Sequence, residues 1–121
     1  MKRALLILPA TILLSCIHSR PLSIHTWSEL KMPGLELNLN DPTNVEWYEF
    51  GSDGGVSATI GERGGPYSAP LYYWRTDGNL LLVTDWDQKV VEKLRLLEVG
   101  HGEIVVQKSS GAKVTYEMKR N

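Results

Sequence analysis

Cysteine is almost absent from this chain: Cys16 is the only one among 121 residues. An internal disulfide is thereby excluded, and with it the class of small folds stapled by several bridges. With three histidines in the whole chain and none beside a second thiol, there is no Cys/His spacing for a zinc site. An excess of positive charge is missing as well. Lys and Arg number 13 against 14 Asp and Glu, for a formal net charge of −1. Apart from Lys2 and Arg3, the basic residues are scattered from Arg20 to Arg120 with acidic neighbours between them. No basic stripe exists to displace counterions from phosphate, which argues against nucleic acid as a partner. Nor does any apolar run reach the roughly 20 residues that a membrane-spanning helix requires.

What is present begins with a leader. Lys2 and Arg3 precede a nearly unbroken apolar run from Ala4 to Leu14, the pattern of a secretory signal peptide. Pro9 in the middle of that run disfavours a permanent membrane helix. A core helix would show polar positions along one face, and this run has only Thr11. The run ends in Leu13-Leu14-Ser15-Cys16, which resembles the lipobox of bacterial lipoprotein precursors: an aliphatic residue, a variable one, a small one, then cysteine. The resemblance implies cleavage before Cys16, a lipid on its sulfur and acylation of the new amino group. It covers the first sixteen residues only, and Leu14 is bulkier than the residue usual at its place. A lone free thiol is a liability in an oxidising compartment, and lipidation removes it. The alternative is an unmodified cysteine with cleavage further on, after Ser19. Several acyl chains make anchoring stable where one does not. In two-membrane hosts an Asp after the lipidated cysteine marks inner-membrane retention, and Ile17 stands there instead. The resemblance therefore points to the outer membrane of the cell envelope.

Residues 1–15 are thus read as the signal peptide, 16–33 as a lipidated N-terminus and tether, and 34–121 as the folded domain. Loss of Lys2 and Arg3 with the leader leaves 11 basic against 14 acidic residues, about −3 for the mature chain. In the tether, Ser28-Glu29-Leu30-Lys31 suits one helical turn ended by Pro33-Gly34. From Leu35 onward the apolar residues alternate. Leu35, Leu37 and Leu39 share one face, and turn-forming Asp41-Pro42-Thr43-Asn44 follows. Further strands are expected at Val45–Phe50, Val56–Ile60, Leu71–Thr76 and Leu80–Thr84, with a final hairpin of Glu103–Lys108 and Lys113–Lys119. Asp87–Val99 is ambiguous, because Val90, Val91, Leu94 and Leu97 also fall on one helical face behind a capping Asp87. Its neighbours favour strand. The expected fold is all-β, an antiparallel up-and-down meander of seven to eight short strands forming a small barrel or half-barrel. An exported β-meander with Trp and Tyr in its strands is similar to lipocalin-like modules in general architecture.

Chemistry is hard to find in this pattern. Neither Gly51–Gly55 nor Gly61–Gly65 leads into the Lys-Ser/Thr of a phosphate loop. Ser57 lacks the second glycine of a nucleophile elbow, and His18 and His25 fall in the tether. His101 lies between glycines in a hairpin loop. Asp85 and Asp87 offer two oxygens where a calcium loop offers six or more. Glu46 and Glu49 sit on opposite faces of one strand, a poor acid–base pair. No enzyme, cofactor or metal is expected. The best candidate for a ligand or partner surface is the aromatic group Tyr72, Tyr73, Trp74 and Trp86. Tyr72 and Trp74 share one face of a strand, and Tyr73 shares the other with Leu71 and Arg75. The expectation is a lipid-anchored, non-enzymatic binding or accessory module that takes a small apolar ligand or an envelope protein. A second possibility is a secreted inhibitor of a host or phage lytic enzyme. Ser110-Gly111-Ala112 followed by Tyr116 faintly resembles the Ser-Gly-x-x-Tyr-type loop of small lipoprotein lysozyme inhibitors, though with a different tyrosine spacing and without their disulfide.

Overall fold

The computed structural model describes residues 24–120; the signal-peptide and lipobox residues, Cys16 among them, lie outside the described residues. Among the described residues, nine strands follow a single 3-10 turn, Trp27–Leu30. They are β1 (Leu35–Leu39), β2 (Asn44–Phe50), β3 (Gly55–Glu62), β4 (Tyr67–Ser68), β5 (Leu71–Asp77), β6 (Leu80–Thr84), β7 (Val90–Val99), β8 (Glu103–Lys108) and β9 (Lys113–Arg120). Every pairing is antiparallel and joins neighbours in the chain, apart from β3 with β5, which skips β4, and the seam where β1 meets β9. Because β1 also pairs with β2, and β2 with β3, eight strands close into a ring. The two-residue β4 stands outside it, attached to the far end of β3. The fold is therefore an all-β, up-and-down, closed eight-stranded barrel with one extra strand.

Alternation explains the closure. Leu35, Leu37 and Leu39 of β1, Tyr48 and Phe50 of β2, Val56 and Ala58 of β3, and Ile104 and Val106 of β8 are all buried inside. At two-residue spacing, each strand sends one face to the centre. An eight-stranded ring is just wide enough for side chains to fill it, and here they do. Gly61 has a separate reason to be glycine. A Cβ there would stand 2.4 Å from the carbonyl oxygen of Pro66, so the loop carrying β4 can lie against β3 only at a residue without a side chain.

The ambiguous stretch is a strand, paired with β6 on one side and β8 on the other. Of its four supposed helix-face residues only Leu94 is buried, while Val90, Val91 and Leu97 are exposed. A register shift between Leu96 and Glu98 changes the phase, so that Leu94, Leu96 and then Val99 face inward. The helical period comes from the exposed apolar Val90, Val91 and Leu97, which lie outside the core. Asp87 caps no helix. Its backbone N–H and that of Lys89 both donate to the Asp85 carboxylate in the turn before β7.

The stretch read as a tether also differs from expectation, because the core begins well before residue 34. Trp27, Leu30 and Met32 are all buried. Trp27 has no exposed surface, and its indole N–H is shared between the carbonyl oxygens of Asn79, 3.1 Å away, and Leu94, 3.0 Å away. The Glu29 carboxylate accepts hydrogen bonds from the Thr26 hydroxyl and from the backbone N–H groups of His25 and Thr26. Those bonds hold its carboxyl below the usual range, the Thr26 hydroxyl contributing most. The 3-10 turn is fixed by this cap. From the last strand, Arg120 donates to the carbonyl oxygens of Leu30 and Lys31. One end of the barrel is thus plugged by an indole and latched by a guanidinium.

The candidate site at the open mouth

The opposite end carries the turns 40–43, 85–89 and 109–112 and the longer segment 63–70 between β3 and β5. Three charged side chains stand at inward positions of their strands there. Glu46 precedes Tyr48 and Phe50 on β2, Lys108 follows Ile104 and Val106 on β8, and Glu92 precedes Leu94 and Leu96 on β7. Each lies in the phase of the core, at the last position before the mouth opens. They meet. The Lys108 ammonium is ion-paired with Glu46 Oε2 and lies 3.6 Å from Glu92 Oε2. Glu46 Oε1 accepts from the hydroxyls of Tyr48 at 3.0 Å and Tyr116 at 3.2 Å.

Burial governs the electrostatics of this cluster. Tyr48 and Tyr116 are almost wholly enclosed, and desolvation, reinforced by the negative charge of Glu46, pushes both phenols well above their ordinary value. They stay neutral and act as fixed donors toward Glu46. Among the described residues no buried side-chain polar atom is left without a hydrogen-bond partner. Above the cluster lies a depression of about 280 Å³, walled by Val45, Ile60, Tyr72 and Val91. That volume sits at the lower edge of the range for small-molecule sites.

The aromatic candidates divide between two places. Tyr72 and Trp74 face inward and are half-buried. Tyr72 lines the mouth. Trp74 packs edge-on against Phe50, with ring centres 6.0 Å apart, and donates to the carbonyl oxygen of Gly51. Tyr73 points outward and is 43 % exposed; Trp86 crowns the turn before β7 and is 78 % exposed. Tyr73, Trp74 and Trp86 border one depression of about 450 Å³ on the outer wall, together with Arg75 and Gln88. Tyr67 and Leu71 add further exposed apolar surface near the mouth.

Other residues weighed from the sequence fall apart in space. His101 is exposed at the plugged end, between β7 and β8. Ser110 and Gly111 are exposed at the mouth, whereas Tyr116 is buried in the interior and bound to Glu46. The tyrosine of the inhibitor-like motif therefore does not join that loop on the surface. Among the described residues no group of three or more His, Cys, Asp or Glu is arranged to hold a metal ion, and no helix is long and apolar enough to cross a membrane. Comparison of the chain with known protein families, curated proteins and solved structures finds no match.

Sequence reasoning passed over Glu46, Glu92 and Lys108, judging Glu46 only as half of a catalytic pair with Glu49. The signal was the strand phase. Continuing the inward alternation of Tyr48 and Phe50, of Leu94 and Leu96, and of Ile104 and Val106 by one step lands on each of the three charges.

Proposed function

We propose that this chain is an exported envelope protein, anchored by lipid on Cys16, whose barrel binds a small molecule at its open mouth without transforming it. The observation that carries the binding reading is the Glu46–Lys108–Glu92 cluster at the core phase of three strands. Burying an ion pair adds little net stability, since desolvation offsets most of the attraction. An apolar triad would fill the space at no such cost. Charged groups kept at the floor of an accessible depression suit recognition of a polar group on a ligand. A ring plugged at one end and open at the other gives that ligand a single route in, which agrees with the lipocalin-like architecture. Anchorage rests on Leu13-Leu14-Ser15-Cys16, and Ile17 favours the outer membrane of a two-membrane host.

Native mass spectrometry of the mature protein, extracted from membranes of its own host, tests both parts. The expected mass begins at Cys16 and carries diacylglyceryl and acyl groups, with additional retained mass from a non-covalent ligand. An unmodified mass beginning after Ser19 overturns the anchor. Cys16→Ser should likewise shift the protein from membranes to soluble or unprocessed fractions, and unchanged processing and membrane association would refute lipidation.

A further inference from the structure

Resting on the mouth as the binding site, we infer that its ligand is a small primary amine carried on an apolar body, held through its ammonium group by Glu92. Hydrogen-bond accounting leads there. Glu46 is the more engaged of the two carboxylates: Oε1 takes two tyrosine hydroxyls and Oε2 takes Lys108. Glu92 is engaged by halves. Its Oε1 accepts the backbone N–H of Lys93, while its Oε2 lies 3.6 Å from the Lys108 ammonium, beyond hydrogen-bond reach. The Glu92 side chain keeps 21 % of its surface accessible and lines the depression. An incoming donor therefore finds an unfilled acceptor on Glu92.

Charge decides which donor. Two carboxylates against one ammonium leave the cluster at −1, and at the rim the Asp41 carboxylate is offset by nearby Arg63. A carboxylate or phosphate entering this floor meets a surplus of its own sign. Lys108 does not reverse that, because Glu46 already neutralises it. A hydroxyl also gains a charge-assisted hydrogen bond on the Glu92 carboxylate but leaves the −1 standing. An ammonium brings the cluster to neutrality, so its advantage is the attraction of opposite charges. Val45, Ile60, Tyr72 and Val91, alongside Asn44 and Gly61, then leave room for a small hydrocarbon body. About 280 Å³ accommodates one aromatic ring or a short chain with its head group.

Three probes of matched body separate the possibilities: phenethylamine, 2-phenylethanol and 3-phenylpropanoate, titrated calorimetrically into the full mature chain in detergent at pH 7. Phenethylamine should bind about tenfold or more tighter than the alcohol, and the carboxylate weakest. Glu92→Gln should lower amine affinity far more than alcohol affinity, so that the two converge, while Glu92→Asp, which keeps the charge, retains most of the amine's advantage. A thermal melt of each variant separates lost binding from lost fold. Equal or tighter binding of the alcohol or the carboxylate, or an amine affinity untouched by Glu92→Gln in a folded protein, overturns the amine class and leaves the mouth as a binding site. If none of the three binds at millimolar concentration, the mouth fails as a site for small apolar ligands and the inference falls with it.

Discussion

The two ends of this barrel are built from the same alternating strands and finished in opposite ways. At the plugged end the inward positions are mostly apolar, Arg120 and Thr76 excepted, and a chain segment from outside the sheet supplies Trp27, Leu30 and Met32 to complete the packing. At the mouth the inward positions turn to Glu46, Glu92 and Lys108, and among the described residues they line an accessible depression. The indole at one end satisfies two backbone carbonyls; the phenols at the other satisfy one carboxylate. The contrast teaches where stability and recognition reside. A dry plug adds buried area and closes the core, whereas a half-buried charge cluster gives little net stability and leaves polar groups within reach of solvent.

The largest way to break the comparison is Trp27→Ala. Removing a wholly buried indole should cost about 3–5 kcal/mol in chemical denaturation, and a loss below 1 kcal/mol would show that the plug is dispensable. Alkaline pH probes the mouth. The folded-state pKa values of Tyr48 and Tyr116 lie above the ordinary value. Above pH ~10 the unfolded chain therefore releases phenol protons that the barrel retains, and stability present below that pH is lost as pH rises. The slope approaches about 1.4 kcal/mol per pH unit for each tyrosine. Tyr48→Phe should flatten it, and an unchanged slope would place the titrating group elsewhere. Arg120→Met sharpens the account of the plugged end. It removes the latch on Leu30 and Lys31 and should cost about 1–2 kcal/mol, far less than the loss of Trp27. The smallest effect is expected from Trp86→Ala at the mouth, within about 0.5 kcal/mol of the parent, because the side chain is mostly in solvent. A large destabilisation there would mean that the mouth is packed after all.

How much of this was legible in the sequence depended on distance along the chain. Leu35, Leu37 and Leu39 announce their strand by local alternation alone, and the short loops between strands imply neighbours in the sheet. The closure of the ring was left open between barrel and half-barrel, because it depends on Leu35 finding Arg120 and Leu39 finding Tyr116. Trp27 was hidden for the same reason. It stands in an aperiodic, polar segment, and its partners Asn79 and Leu94 lie 52 and 67 residues away. The mouth cluster failed differently. Charged residues near strand ends are ordinarily solvated, so a Glu or Lys at inward phase is easily discounted, although the phase itself was written in β2, β7 and β8. The aromatic stripe was correctly seen as two-faced, but which face turned inward was settled only by the packing of Trp74 on Phe50.

The Trp27 plug also has a mechanical consequence. The first and last strands of the ring leave it at the same end, with Leu35 beside Arg120. A pull separating those two chain ends would open an antiparallel seam like a zip, one rung at a time, since its hydrogen bonds run across the strands. Tension arriving from before residue 24 meets Trp27 first. The indole must be drawn out of the core, and its bonds to Asn79 and Leu94 broken, before any load reaches the seam. The plug thus serves as strain relief, sparing the seam that closes the ring from whatever tugs on the chain ahead of it.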